Sequence, residues 1–223
     1  QILYRIAEML EGRKAQFVEE LIQQGSNAAK AKAEVTMSIE RMVHYAGWCD
    51  KYQAIFSTVN PVASSHFNFS IPEPTGVVAI VADENSSLLG LITAIAPVIA
   101  GGNTCVVLAS DNKPLCAITF AEVLATSDLP GGVVNILTGK ASELLPHFSS
   151  HIDVNALVYY RNSKEEIKLI QENAALNVKR IFIYDKVDVF SAAAQSPYFI
   201  SDLQEIKTTW HPIENIGGSK SGY

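Results

Sequence analysis

The sequence has little charge, and positive charge is the scarcer sign. Only 18% of its residues are charged, and 23 acidic side chains outnumber 17 basic ones, which gives a net charge of −6. A chain with this balance offers no basic face to displace counterions from phosphates, so we expect no nucleic-acid partner. The mean hydropathy of +0.15 indicates that part of the surface is covered by another chain.

Cysteine is also scarce, which argues against a disulfide framework. The three cysteines, Cys49, Cys105 and Cys116, are an odd number without metal-like spacing, and they suit a reducing compartment such as the cytoplasm. Each lies in a predicted apolar helix or strand, so we interpret all three as small buried side chains. The five histidines are spread along the chain without matching carboxylates, and we predict no metal site.

Long apolar runs and a phosphate-binding loop are missing as well. No run of about eighteen apolar residues is free of polar interruptions, so we predict no membrane span. No glycine-rich string ends in Gly-Lys-Ser or Gly-Lys-Thr. The chain starts at Gln1 inside a helical pattern, and we expect a piece of a longer protein or one trimmed of a disordered start.

Apolar residues recur at helical spacing at the beginning of the chain. One helix is predicted over residues 2–22 with Gly25 as its stop, and a second from Ser26 or Asn27 to about Phe56. Three prolines then interrupt the pattern, as in a crossing segment or an edge hairpin. We therefore divide this part of the chain into a helical lead and a crossing segment, over residues 1–60 and 61–75.

From residue 76 onward, short apolar strands alternate with helices. Five strand-like strings are separated by four helical segments: GVVAIVA, TCVVLA, GVVNIL, VNALVYY and VKRIFIYD. This alternation is typical of a parallel sheet with helices on both faces. The sequence thus predicts an α/β fold in which residues 76–188 form a Rossmann-like, doubly wound core. Residues 189–223 are predicted to hold a C-terminal helix, a strand and a Gly/Ser-rich tail.

Several strings, in the correct order, resemble the aldehyde dehydrogenase superfamily. They are YAGWCDKYQ, EPTGVVAIVADENSSLL, LPGGVVNILTG, SHIDVNALVYYRNS and, at the end of the chain, IGGSKSGY. The resemblance covers residues 1 to about 183 and then the tail. It implies a nicotinamide-binding domain, a domain with a catalytic cysteine, and a β arm that builds dimers.

The resemblance places the family's catalytic and cofactor positions on residues that do not suit the chemistry. The oxyanion-stabilising Asn falls on Asn85, which we interpret as a vestige that caps the next helix or closes a turn. The Lys and Glu that hold the adenosine ribose fall on Leu108 and Asp111. The Gly of the pyrophosphate turn falls on Arg161, whose bulk should obstruct backbone approach, although its charge leaves binding of some anion open. The general-base Glu falls on Tyr184.

The β arm implied by the resemblance maps to residues 67–71 and 205–213. In the later stretch, two sets of side chains alternate: Ile206, Thr208 and Trp210 against Lys207, Thr209 and His211. One side of such a strand can pack while the other stays wet, and a two-stranded extension is marginal alone. We expect the side with Trp210 to be buried in a homodimer, or against another aldehyde dehydrogenase unit.

The favoured function is a non-catalytic scaffold or oligomerisation module. No cysteine follows Cys116, and too few residues follow the matched core to build a catalytic domain. We therefore predict no catalytic residue, with Asn85 a vestigial oxyanion donor, no metal and no cofactor; Glu84 is interpreted as a solvated loop charge. This pattern resembles the shortened second unit of the family sixteen aldehyde dehydrogenases. Two alternatives stay open: a fragment of an active NAD(P)-dependent enzyme whose catalytic part lies outside this chain, and a nucleotide sensor with a modified cleft.

Overall fold

Helices and strands alternate along the chain largely as the hydrophobic pattern predicts. The computed structural model describes residues 1–213, so the tail string IGGSKSGY lies outside the described residues. The helices are α1 Ile2–Gly12, α2 Lys14–Gln23, α3 Ala28–Ala46, α4 Tyr52–Phe56, α5 Leu89–Ala100, α6 Leu115–Ala125, α7 Ala141–Ser150, α8 Lys164–Ala175 and α9 Tyr198–Ser201, with a 3-10 turn at Ala192–Gln195. The strands are β1 Thr58–Asn60, β2 His66–Pro74, β3 Val77–Val81, β4 Thr104–Leu108, β5 Val134–Leu137, β6 Ala156–Tyr159, β7 Arg180–Ile183 and β8 Gln204–Pro212.

The helical lead contains more breaks than the sequence predicts. The segment predicted as the first helix forms two helices, α1 and α2, because helical geometry is lost at Arg13, directly after Gly12. Gly25 ends α2 with a φ of +93°, a left-handed conformation that favours glycine, and the Asn27 side chain caps α3 by accepting from the Lys30 N–H at 2.9 Å. The second predicted helix ends at Ala46 rather than Phe56, and α4 follows as a separate turn.

The core is a five-stranded parallel sheet in the order β5-β4-β3-β6-β7. Alternate residues of β3 point to opposite faces: Val78 and Ile80 pack with the lead helices, α5 and α6, whereas Val81 packs with α7 and α8. Helices therefore cover both faces, and the predicted α/β, doubly wound fold is confirmed. After β3, the chain adds β4 and β5 on one side of the sheet and then returns to add β6 and β7 on the other side. The strand order therefore reverses between β3 and β6.

Residues 189–203 fold against the core. Val189, Ile200 and Leu203 are buried, and α9 packs on α5. Arg41 of α3, only 2% exposed, donates to the carbonyls of Val189 at 2.7 Å and Ser191 at 3.3 Å, and also to the Thr93 hydroxyl. Burial lowers the pKa of the Arg41 guanidinium, which shows that the cation is poorly solvated.

The β arm is a separate antiparallel sheet of three strands, not two, in the order β1-β2-β8. Its first strand, β1, falls within the stretch that the sequence assigns to the helical lead. In the β2–β8 register, Asn68 faces Trp210 and Phe69 faces Thr209, so Trp210 and Thr209 lie on opposite faces as predicted. Trp210 is 57% exposed in the single chain.

The face of the arm expected to stay wet is the more apolar one. Val59 of β1 pairs with Phe69, and together with Phe67 and Ile71 they line a shallow apolar cavity of 340 Å³. The alternation within β8 alone did not indicate this, because on this face β8 contributes the polar Lys207, Thr209 and His211. The apolar side chains of this face come from β1 and β2.

A side chain from the lead caps the buried start of α5. The Glu34 carboxylate of α3 is 7% exposed, and its Oε1 accepts from Ser86 Oγ at 2.9 Å, Leu88 N at 3.0 Å and Leu89 N at 3.2 Å. A carboxylate there satisfies free N–H groups and lies at the positive end of the helix dipole. The interpretation of Asn85 as the cap of this helix is therefore wrong, because a residue more than fifty positions away already fills that position.

Glu34→Ala should lower the free energy of unfolding by about 3 kcal/mol, since it removes the cap and leaves buried N–H groups without an acceptor. Glu34→Gln, which keeps one acceptor oxygen, should cost less. Asn85→Ala is the matched control and should change stability by less than about 0.5 kcal/mol. Urea denaturation of the three variants measures this, and an equal loss for Asn85→Ala and Glu34→Ala would contradict the assignment.

Candidate functional site

The candidate site lies at the carboxyl ends of β3, β4 and β6, where the strand order reverses. In open parallel sheets, ligands bind in the crevice at this position. Two cavities open there, of 470 Å³ on the side of β4 and β5 and 420 Å³ on the side of β7. Glu84, Arg161 and Asn162 line both of them, so these three residues lie between the cavities.

Arg161 follows β6 and reaches across the sheet. Its Nε donates to the carbonyl of Ala82 at 3.0 Å, after β3, and its Nη2 donates to the carbonyl of Ala109 at 3.1 Å, after β4. The side chain is only 12% exposed. The sequence predicts only that the bulk of Arg161 obstructs this turn; its two carbonyl contacts across neighbouring strands had no local signal.

Glu84 is the charge partner of Arg161, and the interpretation of Glu84 as a solvated loop charge is wrong. Glu84 Oε2 lies 2.9 Å from Arg161 Nη2 in an ion pair that is not aligned as a hydrogen bond. Oε1 accepts from Ser110 Oγ at 2.9 Å and from Asn112 N at 2.8 Å. The pair thus ties together the loops that follow β3, β4 and β6.

The positions implied for ribose binding do not form a ribose site. Leu108 is fully buried among apolar side chains on the face covered by α7 and α8, so no cation is presented there. Asp111 is exposed and lines the 470 Å³ cavity. A single carboxylate without the neighbouring cation offers a ribose one acceptor group and no compensating charge.

The first turn of α8, next to Arg161, is already satisfied and acidic. Ser163 Oγ caps the helix by accepting from Glu166 N at 3.3 Å, and both Glu165 and Glu166 lie in the first turn. Tyr159 Oη donates to Glu166 Oε2 at 2.6 Å, which holds that carboxylate in place. Two carboxylates at the positive end of the helix disfavour a phosphate there. The string SKEE carried this signal, which the sequence interpretation did not use.

Tyr184 is a packing residue and not a base. Its hydroxyl donates to Asp202 Oδ2 at 2.7 Å, and its ring lies 4.9 Å from that of Phe199. Burial and the bond to the Asp202 carboxylate raise the pKa of Tyr184 well above its usual value. The phenol therefore stays protonated at neutral pH, and it attaches residues 199–202 to the edge of the sheet.

Asn85 closes an exposed turn at the rim of the crevice. Its backbone N–H and its Nδ2 both contact Asp83 Oδ1, at 3.1 and 3.3 Å, and its carbonyl accepts from Lys113 Nζ at 2.7 Å. The Asn85 amide is thus turned to a carboxylate of its own loop. It lines the 420 Å³ cavity, in which no cysteine takes part.

Two of the three cysteines are buried, and the third is not. Burial raises the pKa of Cys105 and of Cys116 to about 12, which leaves almost no thiolate at neutral pH. Cys49 is exposed, which corrects the prediction that all three are buried: it lies in the turn after α3 rather than within the helix. Within residues 1–213, no group of three or more His, Cys, Asp or Glu side chains is placed to hold a metal ion, and no helix has the length and apolar character to cross a bilayer.

The residues at the crevice do not fit a dinucleotide. Arg161 and Glu84 fill the middle of the crevice, the ribose position carries Leu108 in place of a cation, and the α8 terminus is occupied by its own carboxylates. The ion pair between Arg161 and Glu84, with its hydrogen bonds, connects the loops that follow β3, β4 and β6.

Comparison with known proteins places this arrangement in context. Residues 1–183 match the sequence profile described as the aldehyde dehydrogenase family. The chain is 34% identical over 185 residues to cytosolic 10-formyltetrahydrofolate dehydrogenase of Mus musculus, a match that covers 81% of this chain and 20% of that protein. It is 29% identical over 184 residues to the mitochondrial 10-formyltetrahydrofolate dehydrogenase of Homo sapiens, with the same coverage of 81% and 20%. The chain thus spans about a fifth of the length of these relatives.

Solved structures share the fold. PnpE from Pseudomonas sp. WBC-3 superposes with a TM-score of 0.76 at 25% identity, over 82% of this chain and 37% of that one. An apo betaine aldehyde dehydrogenase mutant from Staphylococcus aureus superposes with a TM-score of 0.75 at 26% identity, over 82% and 36%.

In the native chain, only Cys49 should react with a thiol reagent, because Cys105 and Cys116 are buried. Partial burial of the Cys49 sulfur raises its pKa, so its labelling should be slower than that of free cysteine at neutral pH and should accelerate as pH rises. Ellman titration should count one thiol in the native chain and three after unfolding. In the control Cys49→Ser, native labelling should vanish; rapid native labelling of that variant would show the buried assignment to be wrong.

Proposed function

Because this chain belongs to the aldehyde dehydrogenase family, we propose that it is a non-catalytic unit of that family that acts as a scaffold or oligomerisation module. The proposal rests on one observation, which is that a side chain of the protein itself fills the crevice. The space in which a ligand would lie is crossed by Arg161, which is bound to two backbone carbonyls and to Glu84. A group held in this way positions loops rather than a substrate.

We propose that no side chain among residues 1–213 carries out aldehyde oxidation. Such a reaction needs a thiolate to attack the carbonyl and a base to activate water. Cys105 and Cys116 are buried with raised pKa values, and Cys49 lies in the turn after α3, away from the residues that line the crevice. Tyr184 is protonated and donates to Asp202. We therefore propose that the chain holds no catalytic residue and binds no cofactor.

The β arm is the proposed contact with a partner. Trp210 and Ile206 are exposed on one face, and the apolar cavity of Val59, Phe67 and Phe69 opens on the other. Within residues 1–213, a three-stranded sheet with apolar side chains on both faces leaves these side chains exposed. We propose that a second copy of this chain, or another aldehyde dehydrogenase unit, covers the arm.

The subfamily and the location are also proposals. The loss of site residues on a retained fold supports a likeness to the shortened second unit of the family sixteen enzymes. Free cysteines support a reducing compartment such as the cytoplasm.

A second candidate function follows from the coverage. The chain spans about a fifth of its curated relatives and about 37% of a solved one. This favours a unit that works beside a catalytic part encoded elsewhere in the same gene. The full-length gene product distinguishes the two: a cysteine-bearing catalytic domain that uses this unit's crevice supports the second candidate, and a separate complete dehydrogenase unit upstream supports the first.

The isolated chain should form no NADH from NAD and any aldehyde above the buffer blank, because no cysteine lines either cavity and Arg161 fills the crevice in which a cofactor would lie. The measurement is absorbance of the reduced nicotinamide with short-chain and aromatic aldehydes at high protein concentration. Turnover that disappears on replacement of Cys49, Cys105 or Cys116 would overturn the proposal. A triple Cys→Ser variant is the matched control for trace contaminating activity.

Trp210→Ala should shift the chain toward monomer or aggregate, since interface anchors are enriched in Trp and this side chain is exposed in the single chain. Size-exclusion chromatography with light scattering measures the change. Leu176→Ala is the matched control, because Leu176 is an exposed apolar residue in the turn after α8, outside the arm. A wild-type chain that remains monomeric at high micromolar concentration would contradict the proposed role of the arm.

A further inference from the structure

We infer that the Arg161–Glu84 pair is an internal substitute for a crevice ligand, which holds the strand switch point closed to dinucleotides. The inference rests on the proposed function, since a working cofactor site would need the space that Arg161 fills. It goes further because it gives the pair a role of its own. The pair makes the contacts that a bound ligand would otherwise make between the loops.

The backbone of the sheet leaves acceptors at this edge. The last rungs of the parallel ladder are Tyr160 N to Val81 O, Ala82 N to Leu108 O and Ala109 N to Leu137 O. Beyond them, the carbonyls of Ala82 and Ala109 have no further strand residue opposite, although both residues are 1% exposed. Buried carbonyls without a donor are costly. The guanidinium of Arg161 supplies both donors, so it continues the ladder by one side-chain rung.

The charge of Arg161 is balanced within the chain. Glu84 neutralises Arg161 at 2.9 Å, and its other oxygen holds Ser110 and Asn112 of the loop after β4. A phosphate that approached Arg161 would have to displace Glu84, or share the guanidinium with it at the cost of like-charge repulsion. Arg161 is therefore already paired with Glu84 and is not available to bind an anion.

The pair also limits the size of the ligand that the crevice can hold. Cavities of 470 and 420 Å³ lie on its two sides, and each is lined by both Arg161 and Glu84. A dinucleotide lies across a switch point of this kind and would have to pass through the pair. Arg161→Gly removes the side chain that separates the cavities, so it should open the crevice to a ligand with a bridging pyrophosphate.

The test uses ADP-ribose as the probe, because it carries the nucleoside and the pyrophosphate without redox chemistry. Isothermal titration should detect no saturable binding to the wild type, and weak saturable binding to the double variant Arg161→Gly/Glu84→Gln, which removes the obstructing side chain without leaving Glu84 as an unpaired carboxylate. Without the probe, the melting temperature of Arg161→Gly should fall by about 5 °C or more, because Glu84 loses its partner. Arg180→Gly is the matched control, since it makes the same replacement at the opposite end of the sheet and should not create binding.

Two outcomes would overturn the inference: wild-type binding as tight as that of Arg161→Gly/Glu84→Gln, or a folded Arg161→Gly variant that melts at the wild-type temperature. If Arg161→Gly does not fold, a double-mutant cycle with Arg161→Met and Glu84→Gln decides, because the double variant leaves no unpaired charge. Glu84→Gln should change the unfolding equilibrium constant about tenfold in the wild type and little in Arg161→Met. Additive effects would show that the pair is not coupled and would overturn the inference.

These outcomes separate the inference from the proposed function. Binding of ADP-ribose to a wild type that forms no NADH would remove the closed crevice and leave the non-catalytic proposal standing. NADH formation by the wild type would remove the non-catalytic proposal. Weak binding that appears only in Arg161→Gly/Glu84→Gln, without turnover, is the result expected if both hold.

Discussion

The structure depends on one constraint: backbone groups left over at the ends of helices and strands must find partners inside a buried core. Distant side chains meet it. Glu34 of α3 supplies the acceptor for α5, and Gln24, directly after α2, accepts from Leu115 N at 3.0 Å at the start of α6. Asn103 and Gln204 hold the base of the arm to the core by donating to the carbonyls of Leu203 and Gly101, at 3.0 and 2.9 Å. The same constraint explains Arg161, which serves the carbonyls of two strands.

A dehydrogenase fold can lose its chemistry without losing its shape because the two rest on different residues. The sheet is held by apolar side chains such as Val78, Ile80 and Leu157, which are fully buried. The site positions lie beyond the strand ends, where side chains can change without disturbing that packing. The polar backbone at those ends needs partners whether or not a ligand binds, and Arg161 and Glu84 provide them here.

The parallel sheet is predictable because a strand buried on both faces is written as a continuous apolar run, and such runs recur between helical segments. The superfamily resemblance that the sequence suggests is confirmed. Partnerships between distant residues are not predictable. Nothing near Glu84 indicates Arg161, and nothing near Leu88 indicates Glu34, so local patterns make Glu84 a solvated charge and Asn85 a helix cap. Whether the Cys49 side chain is buried or exposed depends on whether α3 continues past Ala46, and local helix propensity does not determine where α3 ends.

The pairing of β2 with β8 has a consequence for the order in which the chain folds. Asn68 and Trp210 are cross-strand partners, yet nearly the whole α/β core lies between them in sequence. Closing so long a loop costs conformational entropy that the strand pair alone does not recover. The core must therefore form first and bring the two strands together, so β2 stays without β8 until the core has folded. During that interval the edge of β2 that later pairs with β8, in the stretch that carries Phe67, Phe69 and Ile71, is open to pairing with other chains.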